Sequence, residues 1–312
     1  MEKIKIGISS CLLGNKVRFD GSHKHNRYLT DTLGKYFEYI PVCPEVEYGL
    51  PVPREPMRLT GTPENPRLVT IKTGIDHTEG MLKWSEKRLH ELKKEHLCGF
   101  IFKSKSPSSG MQGVKVYPQK GVPPKKGVGL FAATFMKHFP ALPVEDDDRL
   151  CDPVIRENFI ERVYKRWMDS IKNKNNNKAL IDFHVDHKYL MMAHSPKHLK
   201  TLGMIIANIK DYEKEAPERY ILTMMEGLRS TATRKKHANC LYHIMGYFKK
   251  DLSKTEKEEL SNIIEDYIRG LIPLIVPITL FNHYAKKYDK QYLKRQMYLN
   301  PHPFELMLKN HA

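Results

Sequence analysis

Lys3-Ile4-Lys5-Ile6-Gly7-Ile8-Ser9-Ser10-Cys11-Leu12-Leu13-Gly14 reads as a short strand, Lys3 to Ser9, that delivers a cysteine into the loop at its carboxyl end. The same pattern recurs downstream. Phe37 to Val42 is a second strand and ends in Cys43-Pro44-Glu45. Gly99-Phe-Ile-Phe-Lys103 is a third and runs into Ser104-Lys105-Ser106-Pro107-Ser108-Ser109-Gly110-Met111. Between them, Met81 to Leu97 has helical periodicity, with Leu82, Leu89 and Leu92 apolar among Lys and Glu, and Val128 to His138 also reads as helix. Strands separated by helices predict an α/β domain with a mainly parallel sheet. In such sheets ligands bind beyond the carboxyl ends of the strands, so the three loops are expected to converge on one site.

The texture changes after the acidic segment Pro143-Val-Glu-Asp-Asp-Asp148. From about Cys151 the pattern is helical, with Pro196, Pro217, Pro273 and Pro277 as punctuation. Ser253-Lys-Thr-Glu256 is a capping box that opens a helix to about Arg269. Two domains are therefore expected, residues 1–148 and a mostly α-helical 149–312, as a chain of 312 residues suggests. The asparagine run around 173–177 reads as a polar turn.

Composition narrows the function class. A hydrophobic content of 40% with 28% charged residues describes a globular protein. The net charge of +16 points to a polyanionic partner, nucleic acid first. Five cysteines, an odd number scattered over the chain, argue against a disulfide framework and for a reducing compartment; cytoplasmic localisation follows. The N-terminus has no signal-peptide pattern, and the apolar run from Gly270 to Phe281 carries two prolines and is too short to span a bilayer, so no membrane association is expected and the run reads as buried helix.

Taken singly, the candidate site residues are ambiguous. A lone cysteine such as Cys11 is more often a packing residue. Cys43 beside Glu45 shifts the balance, because a thiolate ligand next to a carboxylate suits a metal that activates a group while the acid moves a proton. The lysines and hydroxyls of Lys103 to Ser109 suit an anion or polar ligand.

Together these motifs resemble the TudS-type thiouracil desulfidases. The resemblance rests on Cys11-Leu-Leu-Gly14 with Val17-Arg-Phe-Asp-Gly21, Val42-Cys-Pro-Glu45 with Gly49-Leu-Pro51, and Lys105-Ser-Pro-Ser108, and covers residues 1 to about 145. The C-terminal half is similar to the YbgA-like domain through His184-Val-Asp-His187, Ala193-His-Ser-Pro196, Thr233-Arg-Lys-Lys-His237, Gly246-Tyr-Phe-Lys-Lys250 and Asn300-Pro-His-Pro303. The pair is the architecture of RudS-type proteins, which remove sulfur from 4-thiouridine in tRNA.

The resemblance implies a 4Fe–4S cluster held by three cysteines with one iron open to the substrate's sulfur. Cys11 and Cys43 occupy the first two ligand positions, and Ser109 stands in the third, where the family pattern has cysteine. A serine oxygen is harder and more basic than a thiolate and a poor substitute at iron. Glu45 is implied as the general base for water and Ser106 as the residue that orients water or stabilises developing charge. The expected reaction is hydrolytic C–S cleavage of a thiouracil base or of tRNA 4-thiouridine, giving uracil and hydrosulfide. It needs no nicotinamide or flavin, and no Gly-x-Gly-x-x-Gly motif is present. Ser109 also raises an alternative, a non-catalytic tRNA-binding or sulfur-sensing protein that has lost the cluster. Cys98 precedes its strand and is expected at the opposite edge; Cys151 and Cys240 read as packing residues.

In the second domain, Arg234, Lys235, Lys236, His237, Lys249 and Lys250, interleaved with Tyr242, Tyr247 and Phe248, are the candidate tRNA contacts. His184, His187, His194 and His198 invite a zinc reading, against which helix packing or RNA contact is favoured.

Overall fold

Ile4–Ser9 forms β1, buried at every position but Lys5, as a central strand covered on both faces requires. It pairs in parallel with β2 (Phe37–Val42) from Ile4↔Phe37 to Ser9↔Val42, and on its other side with β5 (Phe100–Phe102). Gly7 is needed at the second junction. A Cβ there would fall 2.2 Å from the Phe100 ring, so the missing side chain makes room for an aromatic on the neighbouring strand. In this computed structural model the described residues are 3–172, 177–210 and 215–300. The chain divides into two compact units, Met1–Asp152 and Pro153–Ala312.

The first unit carries a four-stranded parallel sheet in the order β2-β1-β5-β7, where β7 is Val144–Asp146. Of its helices, α1 (Pro44–Glu47) is a single turn, and α2 (Thr78–Lys94) and α3 (Leu130–His138) are longer. Phe100, Phe102, Phe131 and Phe135 form the centre of the core between sheet and helices, with Leu89 and Leu92 packed in from α2. Each fully buried Phe contributes about 1.5–3 kcal/mol.

Two elements depart from the sequence reading. The acidic segment after Pro143 is β7 (Val144–Asp146), the edge strand of the sheet. Its buried Glu145 is tolerated because Arg149 Nε donates to it at 2.7 Å. A second sheet, order β4-β3-β6, joins the antiparallel pair β3 (Met57–Thr62) and β4 (Asn65–Thr70) to the short β6 (Val116–Tyr117). Polar and charged residues interrupt β3 and β4, so no run of alternating apolar residues announces them.

The second unit consists of helices α4 (Pro153–Lys172), α5 (Asn177–Asp186), α6 (Lys188–His194), α7 (Pro196–Ala207), α8 (Ala216–Leu228), α9 (Arg234–Met245), α10 (Lys254–Arg269), α11 (Ile275–Lys287) and α12 (Gln291–Lys294), with no strand among the described residues. The capping box forms as expected. Glu256 N–H donates to Ser253 Oγ at 3.2 Å, and Ser253 N–H to the Glu256 carboxylate at 2.8 Å. The apolar run after Gly270 is helical only from Ile275; Leu271 before it is exposed. No described helix is long and apolar enough to cross a membrane. The asparagines at 173, 175 and 176 and positions 301–303 of the Asn-Pro-His-Pro motif lie outside the described residues.

Candidate active site

Because β1, β2, β5 and β7 run parallel, the loops that follow them emerge at one edge of the sheet. After β1 the chain tightens into a 3-10 turn, Ser10–Leu13, closed by Gly14 at φ 92°, a left-handed conformation that favours glycine. This turn buries Cys11. After β2, Cys43 takes the N-cap position of α1, and its backbone N–H donates to the Glu47 carboxylate at 2.7 Å. After β5, the loop from Lys103 to Ser109 is anchored by the Lys103 N–H, which donates to Ser9 Oγ at 2.8 Å. Cys11, Cys43 and Ser109 thereby line one cavity of about 480 Å3, together with Glu45, Arg54 and Ser106.

Burial is the main reason that the Cys11 thiol is pushed up to about 11, and the nearby Cys43 sulfur adds to it. Cys43 is raised as well, again by burial first. Ser109 is 4% exposed; its N–H donates to Ser106 Oγ at 3.1 Å, and its own hydroxyl makes no hydrogen bond among the described residues.

Glu45 is tightly held. Arg54 Nε donates to Glu45 Oε2 at 2.8 Å, and Nη2 donates to the same oxygen. Nη2 also reaches the Val17 carbonyl at 2.9 Å, toward which the Cys43 thiol points at 3.8 Å. The other carboxylate oxygen accepts from Ser108 Oγ at 2.8 Å, and Ser106 Oγ lies 3.1 Å from Ser108 Oγ. Since the single Ser108 proton is directed at Glu45, Ser106 is the donor in that second contact.

The sequence reading named Glu45 and Ser106 but missed Arg54 and Ser108. The signal available for Arg54 was its place in the Pro-rich run Pro51-Val-Pro-Arg-Glu-Pro56, three residues past the Gly-Leu-Pro motif. The lysines of the third loop are less available to a ligand than their sequence suggested. Lys103 Nζ donates to Asp147 at 2.8 and 3.0 Å, and Lys105 Nζ to Asp148 at 2.6 Å, so the acidic segment neutralises them.

The remaining cysteines stay apart from the cavity. Cys98 and Cys240 are buried and Cys151 is exposed. The four histidines of the second unit go to separate partners. His184 Nδ1 lies 3.1 Å from the Tyr220 hydroxyl, His187 stacks on Phe183, His194 meets Glu161, and His198 Nδ1 lies 2.7 Å from Ser195 Oγ. No group of three potential His, Cys, Asp or Glu metal ligands occurs among the described residues. Of the candidate tRNA contacts, Arg234, Lys235, Lys249 and Lys250 are exposed. Lys236 Nζ instead donates to the His194 carbonyl at 2.8 Å, His237 stacks on Tyr298, and Arg234 lines a cavity.

The family model for 2-thiouracil desulfurase matches residues 6–147, and that for a protein of unknown function, DUF1722, matches residues 188–303. The uncharacterized protein YbgA of Escherichia coli strain K12 is 30% identical over 138 residues, 42% of this chain and 79% of that protein. The chain belongs to the thiouracil desulfurase family, with a YbgA-like C-terminal region. Uncharacterized protein YbbK of Bacillus subtilis strain 168 is 32% identical over 108 residues, 33% of this chain and 71% of the relative. A solved structure described as the 4Fe–4S-dependent thiouracil desulfidase TudS is 32% identical, covers 48% of this chain and 94% of its own, and superposes with a TM-score of 0.40.

To a metal group the cavity offers two thiols and one hydroxyl that makes no hydrogen bond among the described residues. Cys11 and Cys43 fit as thiolates once a metal displaces their protons. The third corner offers oxygen in place of sulfur.

Proposed function

We propose that this chain is a hydrolytic desulfidase that removes sulfur from thiolated uracil, as a free base or as 4-thiouridine in tRNA. The reading is carried by one observation: two cysteines, a hydroxyl in the third ligand place and an oriented carboxylate share a single cavity at the carboxyl edge of a parallel sheet. Cys11, Cys43 and Ser109 are the residues that would hold a 4Fe–4S cluster, which when bound supplies Lewis acidity toward the thiocarbonyl sulfur.

The remaining chemistry belongs to this chain's own side chains. Arg54 and Ser108 fix the Glu45 carboxylate from two sides, so that it takes a proton from the water that attacks the ring carbon. Ser106, anchored by the Ser109 N–H, donates toward the same oxygen network and orients that water. The C–S bond breaks, sulfur leaves as hydrosulfide and the water oxygen stays on the ring, with no net change in oxidation state.

The polyanion expected from a charge of +16 is tRNA, met by exposed Lys235, Lys249 and Lys250 on the C-terminal unit. The test is anaerobic reconstitution with iron and sulfide, followed by incubation with thiouridine-containing tRNA and with free 4-thiouracil. Visible iron–sulfur absorbance with sulfide release from either substrate is expected. A protein that takes up the cluster but releases no sulfide from either refutes the reading. Ser109 favours one competitor, a tRNA-binding protein without a cluster, for which tRNA binding without iron uptake is the signature.

A further inference from the structure

The loop after the Cys11 turn brings a ring to the active-site cavity. Val17, Arg18 and Phe19 all line it, and among the described residues Phe19 is its only aromatic lining. The loop is fixed from inside. Arg18 N–H donates to the Ser22 carbonyl at 3.2 Å, Gly21 N–H donates to the Arg18 carbonyl at 2.9 Å, and Ser22 Oγ donates to Asp20 Oδ1 at 2.6 Å. It is also tied to the site on two sides. Lys24 N–H donates to the Cys11 carbonyl at 2.9 Å, and the Arg54 backbone N–H donates to the Phe19 carbonyl at 2.8 Å. Arg54 is the residue that grips Glu45, so the ring and the carboxylate take their places from one residue.

The core phenylalanines Phe100, Phe102, Phe131 and Phe135 are buried, whereas Phe19 is 38% exposed. Its ring meets no other ring among the described residues and has the Arg18 guanidinium 5.5 Å from its centroid. Arg18 is itself held, since its Nε donates to Ser22 Oγ at 3.2 Å. A single exposed apolar side chain is ordinary on a protein surface and needs no explanation. What sets Phe19 apart is its place beside the thiols, hydroxyls and carboxylate of the cavity. Other apolar groups on the lining, such as Met57 and Pro107, are aliphatic and present no π-face.

A pyrimidine base is flat, and its hydrogen-bonding groups lie along its edge. Hydroxyls and backbone groups can meet the edge, but the two faces are best covered by a second π-surface, as in base–aromatic stacking. We propose that Phe19 is the stacking platform for the thiolated base and sets the plane of its ring against Glu45. The inference rests on the desulfidase reading for the identity of the base. Stacking is equally available before and after sulfur leaves, so Phe19 contributes to binding and not to the chemical step.

The test is calorimetric titration of the full chain, before and after anaerobic reconstitution, with uracil, 4-thiouracil and 5,6-dihydrouracil. Dihydrouracil keeps the edge groups of uracil and loses the aromatic plane. The two planar bases are expected to bind more tightly than dihydrouracil. Phe19→Leu, which keeps an apolar side chain without the ring, should weaken both on the order of tenfold and leave dihydrouracil unchanged. Phe19→Tyr should bind like the parent. In sulfide release from 4-thiouracil, Phe19→Leu should raise KM by the same factor with kcat little changed. A parent that binds both planar bases in this pattern yet releases no sulfide refutes the desulfidase reading and supports the platform. The platform is overturned if neither planar base binds the parent, or if Phe19→Leu binds all three ligands as the parent does. It is overturned equally if dihydrouracil binding falls as far as uracil binding, or if Phe19→Tyr loses as much affinity as Phe19→Leu.

Discussion

Arg54 grips Glu45 through two guanidinium nitrogens on one carboxylate oxygen, and the two side chains are only 4% and 14% exposed. A pair this buried is asymmetric under mutation. Arg54→Gln leaves a buried carboxylate facing only the Ser108 hydroxyl and is expected to cost about 3 kcal/mol in urea unfolding. Glu45→Gln is expected to cost less, because Arg54 keeps the Val17 and Pro51 carbonyls at 2.9 and 3.3 Å. On the proposed mechanism both should abolish sulfide release, since one removes the proposed base and the other its orientation.

Ser109→Cys places a third thiol where an uncommitted hydroxyl now faces the cavity. The swap adds little volume and should leave unfolding within about 1 kcal/mol of the parent. Iron bound per chain after reconstitution should rise, and cluster loss to a chelator should slow on the order of tenfold, as a softer donor set predicts. Unchanged iron content in the variant would remove Ser109 from the ligand set.

The serine loop depends on a glycine outside it. A Cβ on Gly129, the residue before α3, would lie 2.5 Å from the Ser108 carbonyl carbon and 2.8 Å from the Ser109 nitrogen. Both are backbone atoms that cannot swing away. Gly129→Ala is therefore expected to destabilise the first unit by about 1–3 kcal/mol and to push Ser108 away from Glu45. Thermal unfolding and cluster uptake measured on the same sample test the two halves of this expectation.

The Cys11 thiol has an ordinary value of 9.0 and is raised to about 11 by burial and by Cys43. A thiol raised in the folded state stabilises the fold fully below pH 9.0, and that contribution is lost as the pH climbs toward about 11. Cluster-free protein should accordingly lose stability over this interval. Alkylation of Cys11 by iodoacetamide should accelerate with pH up to a midpoint near 11. Cys11→Ser should abolish the slow, high-pH phase read by mass spectrometry.

Lys235, Lys249 and Lys250 are exposed, so the tRNA contact proposed for them should be electrostatic. Affinity should fall linearly in log–log plots against salt. Replacing all three with glutamine should weaken binding across tRNA species and make that slope shallower, by about one unit for each phosphate no longer neutralised. The same substitutions should leave sulfide release from free 4-thiouracil unchanged.

Much of this protein is legible in its sequence alone. Strands in Ile4–Ser9 and Phe37–Val42, the capping box at Ser253 and the helical C-terminal half follow from local pattern, because apolar periodicity and cap chemistry are properties of neighbouring residues. The order of strands and helices implies a parallel sheet, and a parallel sheet puts its loops at one edge. That is why the loops carrying Cys11, Cys43 and Ser109 are expected to converge without any measured distance; their place as candidate ligands is what the family resemblance implies. The edge strand Val144–Asp146 and the hairpin from Met57 to Thr70 are not legible, since their polar residues break the alternation that marks a strand.

Only the tertiary structure decided the partnerships. Ser108 meets Glu45 across 63 residues of chain, and Lys103 meets Asp147 across 44. Arg54, nine residues from Glu45, turns inward although nothing in its neighbouring residues points it there. Tertiary packing also set the exposed Arg234 guanidinium against Gly270, where a Cβ would fall 2.1 Å from it. Composition counts charges and local pattern places backbone; which charges meet depends on where distant segments are packed.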